Sequence, residues 1–182
     1  TESFEKVLER KRKELINKID LLQAIGSDRF PKVSSKLYPL PDNRLVQNAY
    51  SLLELAPSPS SKMILRKEGI SMVRKTLSQM GLKYRIRSTD MVTSARVDAM
   101  GRLLELRKRE RFSEDYFKRL VVHEIGTHAL RTENGLLQPL KVFKNGFPGY
   151  LGTEEGLAAY NEFHAGVMSN SILRNYAGRV VA

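Results

Sequence analysis

Two histidines and a glutamate stand close together in residues 121–131, VVHEIGTHALR. Glu124 follows His123 directly, and three residues then separate Glu124 from His128. Two imidazoles on neighbouring helical turns can supply two ligands to a divalent metal. A carboxylate next to the first can stand beside the metal's open position. A zinc site that performs hydrolysis takes three protein ligands and leaves one position for water. There Glu124 could take a proton from water and pass it to the leaving amine of a peptide. The usual spacing for this chemistry is H-E-x-x-H, and this stretch carries one residue more.

That extra residue makes a geometric demand. In a regular α-helix, residues four apart lie about 40° from one another around the axis, and residues five apart about 140°. His123 and His128 would then point in different directions. A π-bulge across 124–128 would return them to one face, and such bulges favour functional sites. Gly126, inside the insert, is expected to ease the distortion.

The chain has no cysteine, so a metal must be held by His, Asp or Glu. TEEGLAAY (153–160) supplies acids some thirty residues downstream, at an expected helix start. Glu155, directly before Gly156, is the expected third ligand, and Glu154 is expected to point elsewhere. Glu162 lies seven residues after Glu155, on the same helical face, where it could orient a ligand histidine. His164 falls on the opposite face and is excluded.

These residues need a scaffold. Residues 3–25 have apolar positions at helical spacing, up to Gly26. Residues 27–43, with three prolines, read as a loop, and 44–55 as a helix. APSPSS (56–61) is a break before a helix over roughly 61–80. Three strands follow, at 82–87, 92–98 and 102–108. Ser113, with Glu114 and Asp115 behind it, starts the motif helix, which is expected to end near Asn134-Gly135. Residues 136–152 read as a Gly/Pro loop, Thr153 as the cap of a final helix pair. This order predicts an α+β fold: a zincin-like metallopeptidase core of a small sheet plus the motif helix, behind an N-terminal helical layer. The expectation is a single catalytic domain over 1–182. Its mainly helical part covers 1–80 and its zinc-peptidase core 81–182.

Three stretches in order, HEIGTHALR (123–131), NGLLQPL (134–140) and TEEGLA (153–158), resemble the microtubule-associated tyrosine carboxypeptidase family, which includes bacterial relatives with a QEGLP motif. SSKLYPLPD (34–42) and FSEDYFKRLVVHE (112–124) are similar to family stretches as well. The resemblance implies a zinc metallocarboxypeptidase, with His123, His128 and Glu155 as zinc ligands and Glu124 as general base. Eukaryotic members remove the C-terminal tyrosine of α-tubulin, so tubulin is an expected partner only for a eukaryotic source. Glu154 stands where relatives often carry Gln, Ala158 where the bacterial motif has Pro, and Leu140 where tubulin-cleaving members carry Trp. Family members continue past the stretch similar to YAGRVVA (176–182), which leads to the expectation that last helices of the pattern are missing here.

A carboxypeptidase must also hold a terminal carboxylate, which calls for Arg or Lys. Arg131, Lys141, Arg96 and Arg179 are the candidates, with Arg96 and Arg179 preferred. Gln138 is a candidate donor to the substrate, and Phe143, Phe147 and Tyr150 are candidates for an aromatic pocket. The net charge of +11 suits an acidic protein or peptide tail. The alternative is a non-catalytic, peptidase-like domain that binds acidic tails or nucleic acid. Basic runs such as 9–14 and 102–111 alternate with acids and apolar residues, and no nucleic-acid-binding signature is present. No apolar run is long enough to span a membrane. The missing cysteines point to a cytoplasmic setting.

Overall fold

The computed structural model describes residues 3–108 and 111–182. Arg109 and Glu110, part of the basic run at 102–111, lie outside the described residues. The fold is α+β, and the chain divides into two compact units. One comprises residues 1–56, 147–149 and 172–182, the other 57–146 and 150–171.

The first unit is helical. α1 (Phe4–Gln23) ends just before Gly26, whose positive φ of 77° suits glycine. α1 has no fully buried residue. α2 (Phe30–Leu37) lies inside the stretch expected to be a loop. Its proline falls in the first turn, where the missing N–H costs no hydrogen bond, so the proline begins a helix here. α3 (Asn43–Leu53) is capped by Asp42, which accepts a hydrogen bond from the Leu45 amide at 2.7 Å.

The second unit holds the sheets and the motif. β1 (Met63–Ile64) precedes α4 (Arg66–Gln79), so the helix expected from residue 61 begins five residues later. Its start is fixed by Glu68, whose carboxylate accepts from the Leu65 amide at 3.0 Å. β2 (Arg85–Thr89), β3 (Ala95–Asp98) and β4 (Leu103–Arg107) form a sheet in the order β2-β4-β3. β4 is parallel to β2 and antiparallel to β3. β5 (Phe112–Ser113) pairs with β1. Two-residue strands carry no alternation, which is why this pair was not legible in the sequence.

The central strand is buried on both faces. Leu104 and Leu106 point into a core with Val73, Leu77, Phe112, Phe117, Leu120 and Ile125. Glu105, between them, faces the other way and is 1% exposed. The register sets Arg87 and Arg96 on either side of it, and each donates to one of its oxygens. These two arginines hold the Glu105 carboxyl below the usual carboxylate range.

α5 (Glu114–Leu120) continues without a break into a π-helix (Val121–Ala129) and then α6 (Leu130–Leu136). α7 (Val142–Asn145) is a single turn within the expected loop. α8 (Tyr150–His164) begins three residues before Thr153, so Thr153 lies inside the helix rather than capping it. α9 (Asn170–Val181) falls almost wholly in the first unit.

α4 and α5 meet at Gly69, where the buried Phe117 ring packs against the helix. A Cβ at this position would come within 1.9 Å of the ring. Gly69→Ala is therefore expected to cost about 1–3 kcal/mol. Urea denaturation reads this directly, and an unchanged midpoint would contradict the packing.

Candidate metal centre and active site

The motif helix starts as its residues require. The Ser113 hydroxyl accepts from the Tyr116 amide at 3.1 Å, with Glu114 and Asp115 in the positive first turn. Over 121–129 the hydrogen bonds reach back five residues, as in Leu130 N–H to Ile125 O. The bulge expected from the motif's extra residue is thus a full π-helical stretch. Gly126 is not what makes room for it. A Cβ there would meet only the Val121 carbonyl at 3.6 Å, an ordinary contact. The wider turn is tied by side chains instead. The Thr127 hydroxyl donates to Val122 O, and Asn161 Nδ2 on α8 donates to that hydroxyl at 3.0 Å.

With this pitch the two imidazoles share a face, their ring centroids 5.1 Å apart. His123 Nδ1–H donates to Glu162 at 2.6 Å, and His128 Nδ1 lies 3.1 Å from Glu154. Both acids are buried, on α8, which packs along the π-helix. Each acid also accepts from an arginine one turn outside the motif: Arg119 for Glu162, Arg131 for Glu154. With Nδ1 engaged by a carboxylate, each ring presents the lone pair of Nε2. The two Nε2 atoms converge on Glu155, at 3.6 Å from one carboxylate oxygen and 3.5 Å from the other.

One ligand atom each from His123, His128 and Glu155 lies within 4.8 Å of the others. Bonds of about 2.0–2.1 Å around a tetrahedral ion put ligand atoms about 3.3 Å apart, close to the 3.6 and 3.5 Å from the two Nε2 atoms to Glu155. Burial lowers the His123 pKa, but the hydrogen bond to Glu162, with the charges of Glu124 and Glu162, outweighs it and raises it. The ring is therefore a more basic donor. Burial also raises the Glu124 carboxyl, helped by Glu155 and opposed by the two imidazoles and Arg119.

These residues open on a cavity of about 550 Å³, whose walls include residues 96–100, Lys144 and Tyr150. A family model described as microtubule-associated tyrosine carboxypeptidase matches residues 1–182. The chain belongs to this family. Membership in the microtubule-associated tyrosine carboxypeptidase family implies a carboxypeptidase-like, hydrolytic function. Comparison with curated proteins and with solved structures found no match. Among the described residues, no helix is long and apolar enough to cross a membrane.

The other sequence candidates are distributed differently. Arg96 lines the cavity, but its Nε and one terminal nitrogen are turned to Glu105. Gln138 and Phe143 line a neighbouring cavity of about 430 Å³, not the one beside the histidines. Arg179 belongs to the first unit, with its guanidinium over the Tyr176 ring. Glu162 stands where its helical spacing put it. Glu154 does not point idly away: it takes the second histidine. Arg119 and Arg131 were missed as partners of these acids. Their signal was two cations one turn outside the motif, facing a downstream helix with acids at both ends.

Proposed function

We propose that the chain is a zinc-dependent carboxypeptidase that removes a C-terminal residue, tyrosine or another aromatic, from an acidic protein or peptide tail. One observation carries this reading: both Nε2 atoms and the Glu155 carboxylate converge, with Glu124 beside them, on a single cavity. His123, His128 and Glu155 would hold the ion, in the three-ligand arrangement of catalytic zinc. Zinc, when bound, supplies Lewis acidity and makes water a stronger acid.

The chain's own residues do the rest. Glu124 accepts a proton from the attacking water as the oxygen adds to the scissile carbonyl. It then delivers a proton to the amide nitrogen as the C–N bond breaks. Burial, which raises the Glu124 pKa, suits a group that must both take and return a proton. Glu162 and Glu154 keep the two rings in one tautomer and orientation. β3 has no strand on its outer side among the described residues, and residues 96–100 run along the cavity wall. An extended peptide could pair with that edge. Tyr150, Leu151 and Met100 offer apolar surface for an aromatic side chain. The net charge of +11 favours an acidic tail, and the lack of cysteine suits the reducing cytoplasm. The tubulin tail is the natural substrate to test, given the family's name.

Elemental analysis of protein purified without chelators should find about one zinc per chain. Cleavage of a C-terminal peptide library should stop on chelation and return with zinc. Protein that holds no zinc and cleaves nothing would overturn the reading in favour of a binding domain.

A further inference from the structure

Holding the substrate's terminal carboxylate is the demand that separates a carboxypeptidase from an endopeptidase. Among the described residues, three arginines and lysines line the cavity: Arg96, Arg131 and Lys144. Two are already engaged. Arg96 turns the Nε edge of its guanidinium to the buried Glu105. Arg131 donates from Nε to Glu154, from one terminal nitrogen to the carbonyls of Phe143 and Lys144, and from the other to the Thr132 hydroxyl. The Lys144 ammonium has no hydrogen bond or ion pair among the described residues.

The position of Lys144 is nevertheless fixed. A Cβ at Gly135 would lie 2.6 Å from the Lys144 backbone, so α6 and α7 meet backbone to backbone. Arg131 clamps the Lys144 carbonyl at 3.1 Å, and Glu154 joins Arg131 to His128. A bonded path thus runs from a candidate metal ligand to the lysine's main chain. The residue lines the cavity, and its ammonium has no partner among the described residues.

We propose that Lys144 anchors the substrate's C-terminal carboxylate, with Arg131 as the residue that positions it. This rests on the carboxypeptidase reading. A lysine ammonium binds a carboxylate as a compact charge, and its three donors need no fixed plane.

The test compares an acidic octapeptide ending in tyrosine, as free acid and as amide, by titration calorimetry. The zinc-loaded protein carries Glu124→Gln to prevent turnover. The free acid should bind more tightly. Lys144→Gln should weaken the free acid roughly ten- to a hundredfold and leave the amide unchanged. Lys144→Arg should keep most of the preference, and Arg96→Gln all of it, with zinc content constant throughout. In turnover, Lys144→Gln should raise KM far more than it lowers kcat. If Lys144→Gln keeps the free-acid preference, or Arg96→Gln removes it, the anchor is not Lys144 and the proposed activity stands. If the parent protein binds acid and amide alike, the carboxypeptidase reading falls and the anchor with it.

Discussion

Glu124→Gln is expected to keep its zinc and to lose about 10²–10⁴-fold in kcat. The two side chains have the same shape, so packing in this half-buried position is preserved. The amide is neutral, and no unpaired charge is created. His123, His128 and Glu155 keep their convergent atoms, so metal content should match the parent protein. What disappears is the ability to take a proton from water and return it to the leaving nitrogen. Steady-state kinetics on a tyrosine-ended peptide, with zinc measured on the same sample, separates the two effects. Undiminished hydrolysis would remove Glu124 from the mechanism. Loss of zinc would instead make it part of the ligand set.

The second large effect concerns the ligands. His123→Ala or Glu155→Ala should abolish tight zinc binding, because two remaining ligands cannot complete a site that needs three. Glu162→Ala should cost less, about 10–100-fold in affinity, because it removes only the group that orients His123. It also leaves Arg119 without the acid it donates to, so some stability is lost as well. Thermal melts give a second readout. Zinc at a hundred times its Kd should stabilise the parent protein by about 2.7 kcal/mol. The His123→Ala protein should show no zinc-dependent shift in Tm. If it takes up zinc as the parent does, the metal centre lies elsewhere.

The order of these effects follows from the layering of the site. The candidate ligands present Nε2 and a carboxylate inward. Behind each ring stands a buried acid, and behind each acid an arginine. The arginines offset the cost of burying two carboxylates beside the motif, since an unpaired buried charge would otherwise be disfavoured.

Much of this was legible in one dimension. The residue types, H-E and H with three residues between, pointed to a candidate metal site. The count of five from His123 to His128 demanded a π-type turn, because a regular helix cannot put both rings on one side. Glu162 could be found from helical spacing alone. Ser113 announced the motif helix by its hydroxyl and the acids that follow. α2 was hidden because proline reads as a breaker wherever it falls, and only its place in the first turn reverses that sense. β1 and β5 were hidden because two residues have no period.

The partners of the long polar side chains were not legible. Arg131, Lys141, Arg96 and Arg179 are the carboxylate binders expected from the sequence, and Lys144, which lines the cavity with Arg96 and Arg131, is not among them. Which one keeps its charge unspent depends on where Glu105 and Glu154 come to lie. Glu105 meets Arg87 and Arg96 only through the register of three strands. Glu154 meets His128 and Arg131 only because α8 packs along the π-helix. By itself, then, the sequence pointed to the candidate ligands and the candidate base, and it set the pitch of the helix that carries them, because these follow from local spacing. The tertiary structure alone decided which acids orient the histidines and which cations remain available. Those pairings join residues up to 43 positions apart, as from Arg119 to Glu162, and packing rather than spacing brings them together.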